Sequence, residues 1–319
     1  MSAITDCKLA ELGGRLPQPL DHLLVSASFE ERAYGVLGQV RGQVRGKTFV
    51  CYNENHLSYL GGSVERFRGL VPGAKFVPLD SDRPSQTFNA LRNAVDLVTA
   101  GGPCHVGVDV TCFTREAIAI LLFLMRHGLP KGSIVTAFYQ KAKADGRSRR
   151  GGWLTEGVRE VRTILGYAGT VGLGSQTHLV ILPGFEYERA QEIVDALQPD
   201  RISLGHATAE NSISEALNLD HDTFMKRLEA LYLGPTFDRF EFSCVDPFRT
   251  RRNVLEVVEK SGKRNVVVAC LNTKAASVGV CLAALDRPTT QLVYAQPVGY
   301  NTGAYSEPLG EVVFFRLWG

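Results

Sequence analysis

Residues 22–37 read HLLVSASFEERAYGVL, and residues 178–194 read HLVILPGFEYERAQEIV. Both begin at a histidine, run through a strand-like apolar stretch, turn, and enter an amphipathic segment through F-E-(x)-E-R-A. The second copy carries one extra residue, Tyr187, so the offset is 178 − 22 = 156 before it and 190 − 33 = 157 after it. One such match proves little; recurrence in the same order is what marks a repeat. Residues 91–98 (LRNAVDLV) face residues 251–258 (RRNVLEVV), with 252 − 92 = 160. Residues 106–122 (VGVDVTCFTREAIAILL) face residues 265–282 (NVVVACLNTKAASVGVCL), setting Thr114 and Arg115 against Thr273 and Lys274 at 273 − 114 = 159. Residues 135–140 (VTAFYQ) face residues 292–296 (LVYAQ), with Gln140 opposite Gln296 at 296 − 140 = 156. The chain is read as two diverged copies of one unit.

Within each copy, apolar runs bounded by Gly, Pro, Ser or Asp alternate with segments of helical period. Continuous apolar strands such as VVVAC (residues 266–270) suit a parallel sheet covered by helices on both faces. The expected fold is α/β: two tandem Rossmann-like halves related by internal duplication, mainly parallel sheets covered by helices, forming a pseudo-dimer. The expected boundaries are residues 1–142 for the first half, 143–176 for a connector with a helix, and 177–319 for the second half. The connector helix rests on Leu154, Val158, Val161 and Leu165 at helical spacing, stopped by Gly166. The glycine-rich run GYAGTVGLGSQ (residues 166–176) follows that segment and precedes a strand, the reverse of a dinucleotide fingerprint, so it reads as a loop.

Composition removes several classes. A formal net charge of +2 gives no strongly basic domain of the kind that grips duplex DNA. The seven cysteines (Cys7, Cys51, Cys104, Cys112, Cys244, Cys270 and Cys281) form no C-x-x-C pair, and the seven histidines are scattered singly. Neither a structural zinc site nor a disulfide framework is expected, and no cofactor is implied. The N-terminus lacks the pattern of a signal peptide. The longest apolar stretch (residues 117–125) falls well short of the roughly 20 residues that span a bilayer. A cytoplasmic protein with no membrane partner is expected.

In open parallel sheets, ligands sit outside the carboxyl ends of the strands, where turn amides and helix N-termini point. The repeat identifies these turns as Ser26-Ala27-Ser28-Phe29 and Pro183-Gly184-Phe185 after the first strands. After the fourth strands they are residues 109–115 and 270–274. In each fourth-strand turn a hydroxyl can cap helix amides or bind a ligand oxygen, and the adjacent cation can bind phosphate: Thr114-Arg115 and Thr273-Lys274. Both pairs also admit a plainer reading, as a cap beside a solvated charge. Asp109 ends an apolar strand, where a carboxylate needs partners, and has no acidic counterpart in the second half. Glu30 with Arg32, and Glu186 with Arg189, are either ion pairs at helix starts or cleft residues. The candidate ligand set is Ser26, Ser28, Phe29, Asp109, Thr111, Thr114, Arg115 and Gln140 in one half. In the other it is Gly184, Phe185, Asn272, Thr273, Lys274, Gln296, Tyr300 and Asn301, the last two for stacking on and bonding a base.

The stretch DVTCFTRE (residues 109–116) resembles the D-[I/L]-T-G-G-T-K turn of CARF domains, the CRISPR-associated Rossmann-fold sensors of cyclic oligonucleotides. Asp109, Thr111, Thr114 and Arg115 match position by position, while Cys112-Phe113 replaces the two glycines. The turn at Ser26 and Ser28 is similar in placement to that family's other ligand loop. Two such units in one chain resemble the pseudo-dimer of SAVED-type sensors, and that resemblance implies one ligand lying across the fourth-strand turns.

The leading functional expectation is a sensor or regulatory protein for a nucleotide-type ligand in antiviral, CRISPR-type defence. Its partners would be that small molecule and an effector protein chain, with homo-oligomers left open. The alternative is an enzyme on nucleotides or sugar phosphates, either a ring-nuclease-like phosphodiesterase or phosphoribosyltransferase-like. A third reading makes the basic loop bearing Arg147, Arg149 and Arg150 a protein or RNA contact, though such runs are ordinarily solvated. The sequence contains no G-x-S-x-G and no G-x-x-x-x-G-K, which disfavours α/β hydrolases and P-loop NTPases.

Overall fold

The computed structural model describes residues 4–142, 155–172, 174–184, 186–208, 210, 215–304 and 307–318. The basic loop at residues 147–150 and Phe185 lie outside them. The chain divides into two units, Met1–Asp145 with Tyr305–Gly319, and Gly146–Ala304.

The first unit holds strands β1 (Ile4–Lys8), β2 (His22–Ser26), β3 (Thr48–Asn53), β4 (Lys75–Leu79), β5 (His105–Asp109) and β6 (Ile134–Ala142). The second holds β7 (Thr155–Ala168), β8 (Thr177–Leu182), β9 (Arg201–Ala207), β10 (Thr236–Phe242), β11 (Asn265–Cys270) and β12 (Gln291–Tyr300). The last strand, β13 (Pro308–Trp318), belongs to the first unit. The 7-stranded sheet runs β1-β13-β6-β5-β2-β3-β4, and the 6-stranded sheet runs β10-β9-β8-β11-β12-β7. In each sheet five neighbouring strands are parallel and lie in the order third, second, first, fourth, fifth. An antiparallel strand then pairs with the fifth: β13 on β6, and β7 on β12. Helices cover both sheets, so the expected α/β architecture is observed.

Two features differ from the sequence reading. Residues 155–168 form strand β7, not a helix. The pairing of β7 with β12 has register shifts between Gln291 and Val293 and between Gln296 and Pro297. Gly157 (φ 56°) and Gly166 (φ 93°) take left-handed turns within the strand. Extra residues at these bulges break the alternation of a regular strand, so Val158, Val161, Ile164 and Tyr167 turn inward at every third position. That spacing imitates a helix. The second difference lies at the C-terminus: residues 308–318 complete the first sheet instead of the second half. In both units the antiparallel strand is therefore the segment that follows the other unit's fifth strand in sequence.

The helices are α1 (Leu12–Arg15), α2 (Gly35–Val40), α3 (Ser63–Leu70), α4 (Pro84–Thr99), α5 (Arg115–Gly128), α6 (Tyr187–Leu197), α7 (Glu215–Leu231), α8 (Pro247–Lys260) and α9 (Lys274–Asp286). In the first unit Leu23, Val25, Val50 and Phe138 of the sheet pack with Val36, Leu37, Val40 and Phe67 of the helices. In the second, Leu179, Ile181, Ile202 and Leu204 pack with Ile193, Val194, Met225 and Leu228. Fully burying each such side chain contributes about 1.5–3 kcal/mol, which is the main force holding helices to strands.

A polar detail recurs in both units. The Thr87 hydroxyl of α4 donates to the Asp80 carbonyl (2.8 Å) and accepts from the Asp80 amide (2.9 Å). The Thr250 hydroxyl of α8 does the same with Ser243, at 2.8 and 3.1 Å. Asp80 then caps the amides of Asp82 and Arg83, as Ser243 caps those of Val245 and Asp246. Each helix is thus pinned to the end of its third strand by one threonine.

Candidate functional site

The strand order fixes where a ligand-binding crevice should open. In both units the chain proceeds from the first strand to the second and third on one side, then returns so that the fourth flanks the first on the other. The carboxyl ends of the first and fourth strands bound this reversal, where open α/β sheets bind ligands. They are β2 with β5 in the first unit and β8 with β11 in the second.

In the first unit, Asp109 is buried at the end of β5. One of its oxygens accepts from the Thr111 amide (3.1 Å) and from the Thr111 hydroxyl (2.5 Å). The same hydroxyl accepts from the Gln140 amide of β6 at 2.9 Å. Burial pushes the Asp109 carboxyl up to about 7, against the opposing pull of the Thr111 bonds and the Arg32 charge. Arg32 is itself buried, paired with Glu30, and donates to the Gln140 carbonyl at 3.1 Å. Asp109, Thr111, Gln140, Arg32 and Glu30 therefore form one buried network beneath the two turns. The Gln140 side chain packs against α2: a Cβ added at Gly35 would lie 2.0 Å from its Oε1.

Ser26 and Ser28 are buried in the β2 turn. The Ser28 amide donates to Ser63 Oγ at the start of α3 (3.2 Å), and the Ser28 hydroxyl accepts from the Glu30 amide (3.3 Å). Phe29 is half-buried beside them. Thr114 is the N-cap of α5, accepting from the Ala117 amide at 3.1 Å, and Arg115 is the half-buried first residue of that helix. Of the two residues standing where the resembled family has glycine, Phe113 is buried and Cys112 half-buried.

The second unit repeats the cap and changes the rest. Thr273 caps α9 by accepting from the Ala276 amide (3.1 Å) and donates to the Cys244 carbonyl (2.6 Å), with Lys274 half-buried next to it. Asn272 stands two residues beyond the end of β11, level with Gly184. Its side-chain amide donates to the Pro183 carbonyl at 2.6 Å. A Cβ on Gly184 would meet the Leu271 carbonyl oxygen at 2.1 Å, so only glycine lets the two turns touch. Gln296 is buried and accepts from Arg162 of β7 at 2.8 Å. The pair Glu186–Arg189 is buried like Glu30–Arg32, with Arg189 donating to the Ala295 carbonyl.

Strand β12 continues past Gln296 to Tyr300, which pairs with Thr155, so Tyr300 ends a strand instead of opening a loop. The Thr155 hydroxyl donates to the Glu186 carboxylate, and the Tyr300 phenol lies close enough to the buried Arg189 guanidinium to act on its charge. Tyr300 therefore stands beside the Glu186–Arg189 pair that follows the β8 turn. Ser63, the first residue of α3, joins the turn through Ser28 and Tyr34 and was not among the residues expected there. Its signal was the Gly61-Gly62 pair just before it, with positive φ at both glycines. Among the described residues no cluster of His, Cys, Asp or Glu is placed to hold a metal ion, and no helix is long and apolar enough to cross a membrane.

The fold is shared with a nuclease of CRISPR defence. That solved structure, a Type III CRISPR defence DNA nuclease activated by cyclic oligoadenylate, aligns with 82% of this chain at a TM-score of 0.53 and 10% sequence identity. The present chain spans 63% of its length. Weaker likenesses include the pyocyanin biosynthetic protein PhzM (TM-score 0.25, 10% identity, 43% of this chain and 37% of that one). A periplasmic sugar-binding protein from Pseudomonas fluorescens has a TM-score of 0.24 at 10% identity, over 84% of this chain and 66% of that one. No protein-family model matches the sequence, and no curated protein matches it.

Proposed function

We propose that this protein is a sensor of a nucleotide-type ligand, of the cyclic oligonucleotide class, acting in CRISPR-type defence through an effector protein. The observation that carries the reading is the repeated pair at the switch points. Each unit sets a capping threonine and an adjacent cation, Thr114-Arg115 and Thr273-Lys274, at the N-terminus of the helix following its fourth strand. Helix N-termini attract phosphate through unpaired amides and the helix dipole, and a neighbouring cation adds charge-assisted bonds. The sharing of this fold with a nuclease activated by cyclic oligoadenylate supports the same ligand class.

The two sites are unequal in this reading. The first has buried Asp109 and the serine turn. The second has Asn272 locked onto Pro183 and a glycine contact that closes the turns on each other. Stronger ligand contacts are assigned to the first unit.

A thermal-shift screen of cyclic and linear oligoadenylates, mononucleotides and sugar phosphates tests this, with each stabilising ligand recovered and chromatographed. Stabilisation by a cyclic oligoadenylate recovered intact is the expected result. Recovery of a linear product would instead make the chain a phosphodiesterase. No stabilisation by any nucleotide would overturn the reading.

A further inference from the structure

We infer that residues 53–62 form a base-stacking subsite beside the first unit's switch point, with Tyr59 and His56 as the stacking residues. This inference rests on the proposed nucleotide site. The switch-point turns supply hydroxyls, amides and a cation, which is chemistry suited to phosphate and ribose. A nucleotide also presents flat bases, which proteins hold on aromatic faces.

Strand order places this loop next to the site. It follows β3, the neighbour of β2 on the side away from β5, and it leaves the same carboxyl edge of the sheet. It is fastened at both ends. Asn55 donates to Ser81 Oγ (3.0 Å) and accepts from the Ser81 amide (3.2 Å), which ties the loop to the end of β4. Ser63 accepts from the Ser28 amide (3.2 Å) and from the Tyr34 hydroxyl (2.8 Å), which ties its exit to the β2 turn. Between these anchors the chain kinks at His56 (φ −122°, ψ 26°) and turns back through Gly61 (φ 54°) and Gly62 (φ 78°). The kink sets the His56 and Tyr59 rings 5.6 Å apart at 53°, with both residues half-buried and Leu57 between them 51% exposed. Two inclined rings and an exposed apolar side chain, on a loop whose exit is tied to the β2 turn through Ser63, offer a surface for one base. The corresponding stretch after β9, residues 208–213, reads TAENSI and has no aromatic residue. The base contact is thus assigned to the first unit alone.

The test titrates the intact chain with cyclic tetraadenylate and with the same ring carrying 2-aminopurine in place of adenine. Stacking predicts quenching of 2-aminopurine by the wild type, with Tyr59→Ala and His56→Ala weakening binding about 10- to 100-fold. Tyr59→Phe keeps the ring and should retain affinity and quenching, which separates stacking from a hydroxyl contact and from general damage to the loop. Wild-type binding that survives unchanged in Tyr59→Ala and His56→Ala, or binding without quenching, would overturn this inference and leave the sensor reading intact. Absence of wild-type binding would overturn both.

Discussion

Asp109 is the residue whose energetics are most exposed to measurement. Its carboxyl is raised to about 7 from an ordinary 3.8 because burial penalises the charged form. The fold therefore prefers the protonated acid. The stability it contributes is complete below pH 4 and is lost as pH rises through 7, by an amount on the order of 4 kcal/mol at most. Asp109→Asn keeps an acceptor for Thr111 without the charge. Thermal unfolding of this variant should match wild type at pH 4 and exceed it at pH 8. Equal pH dependence in the two proteins would show that Asp109 is ionised without penalty. At the same scale, the carboxylates of Glu30 and Glu186 are both buried against an arginine, and those pairs serve to hold β6 and β12. The pairs were legible in the two F-E segments, but the carbonyls that their arginines bind were not, because these lie more than 100 residues away in the chain.

At the scale of elements, the threonine clamps make the two units comparable. Removing the hydroxyl leaves a buried amide and carbonyl unpaired, so Thr87→Val and Thr250→Val should each cost roughly 1–3 kcal/mol in chemical denaturation. A loss at only one of the two positions would show that the clamps are not equivalent. Strands and helices with strong apolar periodicity were readable from the sequence, including the fourth-strand turns with their caps at Thr114 and Thr273. Strand β7 was not, because bulges at left-handed glycines gave Val158 and Val161 a spacing that mimics a helix. The reach of β12 to Tyr300 was likewise hidden, since its last residues are paired only by that misread strand. The threonine–cation pairs proposed for phosphate binding stand out in the repeat, whereas the aromatic loop after β3 does not, because it has no counterpart to align with.

For the molecule as a whole, connectivity makes a mechanical prediction. Strand β13 lies after the second unit's strands in sequence yet pairs with β6 and β1 in the first. If a site-specific protease sequence is inserted after Asp145 and cut, the two fragments should stay together in size-exclusion chromatography without denaturant. Separation into two folded pieces would contradict the assignment of β13 to the first sheet. The proposed binding of a cyclic oligonucleotide at the first unit's switch point, through the N-terminus of α5, is best measured by calorimetric titration of the intact chain with cyclic oligoadenylates, beside Arg115→Ala. Saturable binding by the wild type is expected, with at least about a tenfold loss in the variant at an unchanged unfolding temperature, as when a charge-assisted phosphate contact is removed. Equal affinity of wild type and Arg115→Ala, or no binding by the wild type, would contradict it.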